Sequence, residues 1–478
     1  MTKMRRLLQA PIVRDTRTAA ARREFRKTLK DAGYRSNELL WREFLKWRDD
    51  DMTAQMKHYI GSLDQSRNKV KAEVDAWPNP LSNGRKGQFY ECSFTLPPII
   101  KGAIFKVSEN LGLEIKRNNL TGQVTISGDP AQAGDFKIRM YYAWSELMKK
   151  PVADVLKNQL LRELDITIFP DPKELWNDIA TPSNIEYYKE DKTSSIIHDH
   201  NLTLTGASVR GRSHAHTGLP RDDDFAMAIA NGWYILAAAD GAGSAQFSRA
   251  GSKIACDRVI RVCDNYLNGD NDLTRVLARV APETPKTDWL PAAKRAAYAL
   301  LPHAVFEAWK EIKAEAQKKG REAREYATTF LLAVCRRFEA GWFIVSFQVG
   351  DGAMGLISGD KAILLAEPDE GDYGGQTRFI TMQEIYKSEE LMRRLNIALV
   401  PGLDALILMT DGVSDAKFSA PANLRDKTYW LELWTELAPL VNSPDPGREL
   451  ADWLGFWSQG NHDDRTIVIL SENQPIVI

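Results

Sequence analysis

The sequence predicts an α+β protein in which a helical segment and a small β-rich region precede a larger domain of mixed helices and strands. Three observations predict this class: apolar residues recur at helix spacing over residues 14–76, short alternating runs follow over 88–145, and four apolar runs beyond residue 205 each lie beside an aspartate. The 478 residues, 44% hydrophobic and 27% charged, are typical of a globular protein of roughly two to four domains. We expect a basic helical region over 1–80, a small β domain over 85–148, a linker over 149–203 and the larger domain over 204–474.

Composition and charge exclude several classes of protein. No run approaches the ~18 apolar residues of a membrane span, the basic stretch Met1–Leu8 lacks the apolar segment of a signal peptide, and the four cysteines form neither a disulfide framework nor a CxxC pair. We therefore expect a cytoplasmic protein.

Residues 1–150 carry 28 basic and 17 acidic residues, against 35 basic and 47 acidic residues in the rest of the chain. The basic front could meet an acidic partner, a membrane surface or nucleic acid; we prefer a solvated helical surface and expect no membrane or nucleic-acid partner.

The helical segment is predicted from apolar spacing and its end from proline. Phe25 and Leu29 repeat at helix spacing, and Ser36–Glu38 has the composition of a cap before a second apolar series. The helices are expected to end near Trp77–Pro80, because proline removes a backbone donor.

The β region is predicted from alternation and turn residues. Gln123–Ser127 and Asp135–Tyr142 flank a turn at Gly128–Pro130. With Leu111–Ile115, this stretch resembles immunoglobulin-like domains found beside other bacterial modules, although any small β meander shows such glycines. Residues 149–203 are polar and predict a linker with one or two helices.

Four buried strands of the larger domain are predicted to end beside aspartates. The runs and their acidic neighbours are Trp233–Ala239 with Asp240, Phe343–Val349 with Asp351, Leu406–Thr410 with Asp411, and Thr466–Leu470 with Asp463 and Asp464. One aspartate at such a position is usually a turn or cap residue. Four that converge would repel one another unless cations lay between them. Hard oxygen ligands favour Mg²⁺ or Mn²⁺ over Zn²⁺.

Seven sequence elements then occur in a recognisable order. They are Gly211–His214 with Gly218–Phe225, Asp240–Ala245 with Ser248 and Gly251, Tyr326–Phe330, Val349–Gly352, Gly371–Thr377, Thr410–Asp415, and Asp463–Thr466. Together, over about 205–471, they resemble the motifs of bacterial type 2C (metal-dependent, PPM) serine/threonine protein phosphatases. The resemblance implies an α-β-β-α sandwich with a two-metal site at one edge.

The resemblance also implies a role for each acidic residue. Asp240 would bridge both metals, Gly241 would lend its carbonyl, and Asp411 and Asp463 would hold the first metal. Asp223 would act mainly through metal-bound water, with Asp222 beside it. Asp351 and Asp411 would form a weaker third-metal site, and Asp464 would lie outside the ligand set. Two Mn²⁺ or Mg²⁺ ions can activate a bridging water for attack on a phosphomonoester, and we find no Walker loop, HExxH motif or serine triad.

Two departures from the family pattern leave roles open. The usual phosphate-binding arginine is replaced by Gly218, so Arg221, Arg212 or Arg210 would have to reach the phosphate, or each forms a salt bridge instead. Some relatives carry a histidine two residues after the bridging aspartate as a proposed general acid, and this chain has Ala242 there. His214 and His462 are the candidate general acids, although a structural role is the preferred interpretation for both.

Three hypotheses follow. The first is an active phosphatase that acts on phosphoserine and phosphothreonine in proteins, because the aspartate set is complete. The second is a catalytically silent or regulated scaffold that binds a phosphorylated or acidic partner through the basic front. The third is a phosphatase of the sporulation or anti-anti-sigma type, which shares the fold. We expect a phosphoprotein substrate, a cognate Ser/Thr kinase as natural partner, and a targeting or regulatory role for residues 1–150.

Overall fold

The computed structural model describes residues 19–46, 52–100, 102–107, 111–118, 121–145, 159–369 and 377–472. The chain divides into two compact units, Met1–Leu175 and Trp176–Ile478. Within the described ranges, no helix combines the length and the apolar character that crossing a bilayer requires.

The first unit begins with three helices. Residues 19–31 form α1, and the others are α2 (Glu38–Phe44) and α3 (Met52–Ala76). The side chain of Asn37 caps α2 by accepting a hydrogen bond of 2.8 Å from the amide of Leu40. Because α3 ends immediately before Trp77 and Pro78, the predicted end of the helical segment is confirmed. The segment itself is confirmed over its described residues, and its residues 14–18 and 47–51 lie outside them.

Two small sheets complete the first unit. One has the strand order β1-β7-β6-β3 and the other is β2-β5-β4. The strands are β1 (Gly84–Arg85), β2 (Tyr90–Thr95), β3 (Gly102–Lys106), β4 (Leu113–Arg117), β5 (Gln123–Gly128), β6 (Gly134–Ala143) and β7 (Gln159–Phe169). One hydrophobic cluster joins side chains of the helices, such as Phe25 and Val74, with strand residues such as Ile126 and Ile166. The regions predicted over 1–80 and 85–148 therefore lie in one compact unit.

The stretch 149–203 differs from the expected linker with helices. Of its described residues, 159–169 form β7, Pro172–Leu175 form one 3₁₀ turn, and Lys192–Asp199 form a further strand, β8. β8 is an edge strand paired only with its neighbour in the second unit, and its side chains are largely half-exposed or exposed. A polar strand at a sheet edge has the composition of a loop, which explains the difference.

The second unit is built around two antiparallel sheets. Their orders are β10-β11-β12-β13-β16 and β15-β14-β17-β18-β9-β8. Their strands, after β8, are β9 (Leu202–Val209), β10 (Asp224–Ala230), β11 (Trp233–Ala239), β12 (Phe330–Phe338), β13 (Gly341–Val349), β14 (Ala353–Ser358), β15 (Lys361–Leu364), β16 (Leu395–Val400), β17 (Ala405–Met409) and β18 (Arg465–Glu472). The four apolar runs predicted as buried strands are confirmed as β11, β13, β17 and β18, since nearly every residue in them is buried.

The second unit also contains helices, most of which cover the outer faces of the two sheets. They are α4 (Arg212–Thr217), α5 (Ser248–Asn268), α6 (Asp272–Leu277), α7 (Lys286–Lys318), α8 (Ser388–Arg393), α9 (Asp411–Phe418), α10 (Lys427–Val441) and α11 (Pro446–Trp453), with 3₁₀ turns at Ala323–Tyr326 and Gln383–Tyr386. One core packs α5 and α7 on the first sheet, another packs α10 and α11 on the second, and a third lies between the sheets. The unit is an α-β-β-α sandwich.

Candidate metal centre

Three aspartates from different strand ends meet at one point of the second unit. Asp240 follows β11, Asp351 lies two residues after β13, and Asp411 is the first residue of α9, after β17. One carboxylate oxygen from each of the three lies within 4.8 Å of the others. Three of the four acidic strand ends named in the sequence analysis therefore lie close together.

Asp223 and Asp463 border the same cluster. Asp223 is completely buried, and its Oδ2 accepts a hydrogen bond of 2.8 Å from the hydroxyl of Thr410. Burial raises the pKa of Asp223 to about 7, and the charge of Asp464 acts in the same direction. Burial also raises the pKa of Asp463, which is more exposed, and Asp464 again adds to the effect.

The electrostatics of the cluster call for a cation. Burial raises the pKa of Asp240 and of Asp411 well above its usual value, and the neighbouring carboxylates raise it further. One buried oxygen each of Asp223, Asp351 and Asp411 has no hydrogen-bond partner among the described residues. Buried acceptors without donors are costly, and hard oxygen donors are the ligands that Mg²⁺ and Mn²⁺ prefer. The residues present therefore fit a divalent cation.

The loop after Asp240 depends on a glycine and on two threonines. A β-carbon on Gly241 would lie 2.8 Å from the backbone oxygen of Asp222, so this crossing of two loops requires the absence of a side chain. Thr328 donates its hydroxyl to the Asp240 carbonyl at 2.7 Å, and the Asp240 amide donates to the Thr329 hydroxyl at 3.0 Å. The threonines of the Tyr326–Phe330 motif thus hold the backbone of Asp240.

The carboxylate of Asp464 binds residues of the segment Gly211–Asp222 and does not face the cluster with a free oxygen. Its carboxylate accepts hydrogen bonds from the amides of Gly211 at 2.6 Å and Asp222 at 2.5 Å, and it lies 2.9 Å from Nδ1 of His214. Burial alone would raise the pKa of Asp464, but the bond from His214 and the two amides hold it below its usual value. Asp464 therefore ties β18 to the Gly211–Asp222 segment.

Two of the three candidate phosphate-binding arginines are already bonded to the protein. Arg221 is buried and donates to the Asp223 carbonyl and to the Ser208 hydroxyl, each at 2.5 Å. Arg210 pairs with Asp178 at 2.7 Å and Asp191 at 3.2 Å. The geometry does not support the expectation that Arg221 or Arg210 grips a phosphate, because the guanidinium of each is already engaged by these partners.

Arg212 has a different environment from the other two. Its guanidinium lies 5.0 Å from the ring centre of Trp457. It borders a cavity of about 260 Å³ that Arg210, Asp463 and His462 also line, but unlike that of Arg210 its guanidinium forms no ion pair among the described residues. The cavity thus connects Arg212 with one edge of the aspartate cluster.

The two candidate general acids occupy unlike sites. His214 lies 2.9 Å from Asp464 and 3.7 Å from Asp222. Burial would lower its pKa, but these carboxylates raise it to about 9. The ring of His462 packs 4.3 Å from Trp176 and 5.3 Å from Trp457, and its pKa is lowered by burial and by Arg212. The contacts of both rings agree with the structural role that the sequence analysis prefers.

Two residues near the cluster have no assigned role in the sequence prediction. Asp415 lies one helical turn after Asp411, and its pKa is raised to about 6 by partial burial and by the charges of Asp351 and Asp463. Its i+4 spacing from Asp411 was an available signal. Lys189 is buried against the Asp222–Asp224 loop, and the polar stretch around it carries no such signal.

The predicted segment Gly371–Thr377 lies outside the described residues except for Thr377. The hydroxyl of Thr377 donates to Asp351 at 2.6 Å. This contact joins the end of that segment to the cluster.

Comparisons with known proteins identify a family. The family model for "Protein phosphatase 2C" matches residues 210–455, slightly more than half of the chain. No curated protein matches the sequence.

Three solved structures similar to the chain share little sequence identity with it. A bacterial serine phosphatase has 15% identity and a TM-score of 0.35, with 56% of this chain and 97% of that chain covered. The structure of RsbX in complex with magnesium has 14% identity and a TM-score of 0.32, with 58% of this chain and 99% of that chain covered. The serine-threonine phosphatase 2C from Toxoplasma gondii has 13% identity and a TM-score of 0.39, with 58% of this chain and 99% of that chain covered.

Proposed function

The chain belongs to the protein phosphatase 2C family of serine/threonine protein phosphatases, and from this premise we propose that it hydrolyses phosphoserine and phosphothreonine in proteins at a centre of two Mn²⁺ or Mg²⁺ ions, with a weaker site for a third. The observation that carries the proposal is the meeting of Asp240, Asp351 and Asp411, whose oxygens lie within 4.8 Å of one another. The orphaned buried oxygens of three aspartates support it.

The family motifs suggest the ligands, and the positions of the side chains support this assignment. Asp240, the Gly241 carbonyl, Asp411 and Asp463 would hold the two principal ions, with Asp223 behind them. Asp351 and Asp411 would supply the weaker site, which the carboxyl of Asp415 adjoins. Asp222 lies beside Asp223 but faces Arg249, at 3.8 Å, and His214, so we assign it an outer position.

The metal supplies the chemistry and the protein supplies the arrangement. When bound, paired divalent ions lower the pKa of a water molecule and neutralise phosphate oxygens. The chain holds its carboxylates close together on rigid strand ends, where Thr328, Thr329 and Thr410 fix two of them. Their burial strengthens the attraction for a cation, because charges are screened less in a low-dielectric surrounding.

Arg212 is the arginine that we assign to the phosphate. Arg221 and Arg210 are held by internal partners, whereas the guanidinium of Arg212 stacks on Trp457 beside the cavity that reaches Asp463. A guanidinium can bind phosphate with two parallel hydrogen bonds. Arg212→Lys should therefore raise KM for a phosphopeptide more than it lowers kcat.

The decisive experiment is metal-dependent turnover by the full chain. We would measure hydrolysis of an aryl phosphate and of a phosphothreonine peptide with Mn²⁺, with Mg²⁺ and with a chelator. Asp240→Asn removes a shared ligand charge at constant size and should abolish turnover while the chain still folds. Asp360→Asn is the matched control, because Asp360 is exposed in the turn between β14 and β15, and it should behave as wild type.

Each outcome separates the hypotheses. Turnover that needs the metal and disappears in Asp240→Asn supports the phosphatase. A folded protein that binds Mn²⁺ but hydrolyses neither substrate supports the alternative, a silent or regulated scaffold that recognises a phosphorylated or acidic partner through its basic first half. Near-wild-type turnover in Asp240→Asn would overturn the proposed centre.

A further inference from the structure

Lys189 is a buried cation beneath the loop that carries Asp222 and Asp223. Its side chain is only 6% exposed. The ammonium lies 2.8 Å from the backbone oxygen of Asp223, 3.3 Å from that of Asp222, 2.9 Å from the hydroxyl of Ser252 and 2.9 Å from a carboxylate oxygen of Asp224. An ammonium has three protons to donate, so these four acceptors saturate it.

The surroundings of Lys189 are unfavourable for a charge unless the contacts compensate it. Burial lowers the pKa of the ammonium, while Asp224 acts in the opposite direction. A buried ion pair seldom stabilises a fold more than well-packed apolar residues would. Besides pairing with Asp224, Lys189 donates to two backbone carbonyls.

Those carbonyls belong to a loop that is held from several directions. The hydroxyl of Ser252 donates to the Asp222 oxygen, and Arg221 donates to the Asp223 oxygen, both at 2.5 Å. The Asp222 amide donates to Asp464. With its backbone turned in this way, Asp223 directs its carboxylate toward Thr410 and the cluster.

We propose that Lys189 is a positioning residue of the metal centre, which holds the Asp222–Asp223 backbone so that the Asp223 carboxylate faces the cation sites. The proposal rests on the proposed function, because it presumes that cations bind there. Lys189 acts through the loop and touches neither substrate nor cluster carboxylates. Outer residues that orient ligands typically change metal affinity by about 10–100-fold when they are removed.

The test is Mn²⁺ binding by the full chain without substrate, measured by calorimetry and by the free-ion electron paramagnetic resonance signal. Lys189→Met keeps the length of the side chain and removes the ammonium, and it should weaken Mn²⁺ binding about tenfold or more. Turnover of an aryl phosphate should then recover as Mn²⁺ is raised. Lys192→Met is the matched control, because Lys192 is 43% exposed and pairs with Asp452 at the surface, and its Mn²⁺ affinity should be unchanged.

Two further variants distinguish positioning from simple charge balance. If Lys189 only neutralised Asp224, adding Asp224→Asn to Lys189→Met would restore Mn²⁺ binding. We expect no restoration, because the ammonium no longer donates to the two carbonyls, and Ser252 and Arg221 remain as their donors. Ser252→Ala removes one donor to the Asp222 carbonyl without changing a charge and should weaken binding in the same direction, which keeps the test open if Lys189→Met does not fold.

Unchanged Mn²⁺ affinity in folded Lys189→Met, or in Ser252→Ala if Lys189→Met does not fold, would overturn the proposal, as would full restoration by Asp224→Asn. A wild-type chain that binds no Mn²⁺ would instead refute the proposed function, and the role of Lys189 with it.

Discussion

The hydroxyl of Thr410 lies 2.8 Å from a carboxylate oxygen of Asp223, although the two residues are 187 positions apart in the chain. The same hydroxyl accepts a hydrogen bond of 3.0 Å from the amide of Thr466. The residue that immediately precedes Asp411 therefore orients a second aspartate of the cluster and also joins β17 to β18. Thr410 thus links the position of Asp411, its neighbour in the chain, to the orientation of the Asp223 carboxylate.

Replacing Thr410 should impair both stability and activity. Thr410→Val has nearly the same shape but cannot donate to Asp223 or accept from Thr466, which should lower the free energy of unfolding by about 1–3 kcal/mol and reduce turnover about tenfold. Thr410→Ser keeps the hydroxyl and should retain most of both. Denaturant unfolding and aryl phosphate turnover measure the two effects. Equal behaviour of the valine and serine variants would show that the hydroxyl does not position Asp223.

The buried carboxyls predict how the stability of the metal-free chain depends on pH. Folding raises the pKa of Asp223 to about 7 through burial and the nearby charge of Asp464. A carboxyl whose pKa is raised on folding favours the folded state while it is protonated, so its ionisation removes stability as the pH rises from ~4 to about 7. In a chelator, Asp223→Asn should therefore gain in Tm relative to wild type between pH 5 and pH 7.5.

At pH 7.5, added Mg²⁺ or Mn²⁺ should raise the Tm of wild type above that of Asp223→Asn. A bound cation compensates the ionised carboxylates in wild type and stabilises only the folded state. Asp360→Asn, at an exposed position, should follow wild type at every pH. A Tm difference between Asp223→Asn and wild type that is independent of pH would contradict the prediction.

How much of this centre could be predicted depends on whether a residue has a local signal. Asp240, Asp351 and Asp411 follow apolar runs and adjoin glycine, so the strand and its acidic end are both visible in the sequence. The α-β-β-α layering was correct as well, because it came with the ordered motifs of the family. These features depend on neighbours in the chain.

The features that could not be predicted depend on distant partners. Lys189 lies in a polar stretch, and its acceptors at Asp222–Asp224 and Ser252 are 33 to 63 positions away. Arg221 immediately precedes the aspartates in the sequence, yet its guanidinium donates to the Ser208 hydroxyl and the Asp223 carbonyl. Only the fold decides whether such a cation faces a ligand or the backbone.

The pair of His214 and Asp464 predicts a second pH effect of the same sign, in a higher pH window. Burial would lower the pKa of His214, but Asp464 and its acidic neighbours raise it to about 9. A histidine whose pKa is raised on folding contributes stability that is complete below its unfolded value of ~6.5 and is lost as the pH rises through about 9. The Tm advantage of wild type over His214→Gln in a chelator should shrink over that range.

His303 provides the control for that measurement, because it is exposed on α7. His303→Gln should match wild type from pH 6 to pH 9.5. A His214→Gln deficit that stays constant over this range would mean that the ring contributes by packing and not by its charge.

Shortening the chain at two positions tests where the second unit begins and what the first one does. A chain of residues 176–478 retains Lys189 and β8 and corresponds to one compact unit, so it should bind Mn²⁺ and hydrolyse an aryl phosphate like the full chain. A chain of residues 200–478 lacks Lys189 and also lacks β8 (Lys192–Asp199), the edge strand that pairs with β9. It should bind Mn²⁺ more weakly and unfold at a lower temperature.

If residues 1–150 serve targeting or regulation, as their basic balance suggests, the 176–478 chain should differ from the full chain in its choice among phosphoproteins or in partner binding. Identical substrate choice, partner binding and stability in the two chains would contradict that role, and equal Mn²⁺ affinity in the 200–478 chain would show that the residues before β9 do not support the centre.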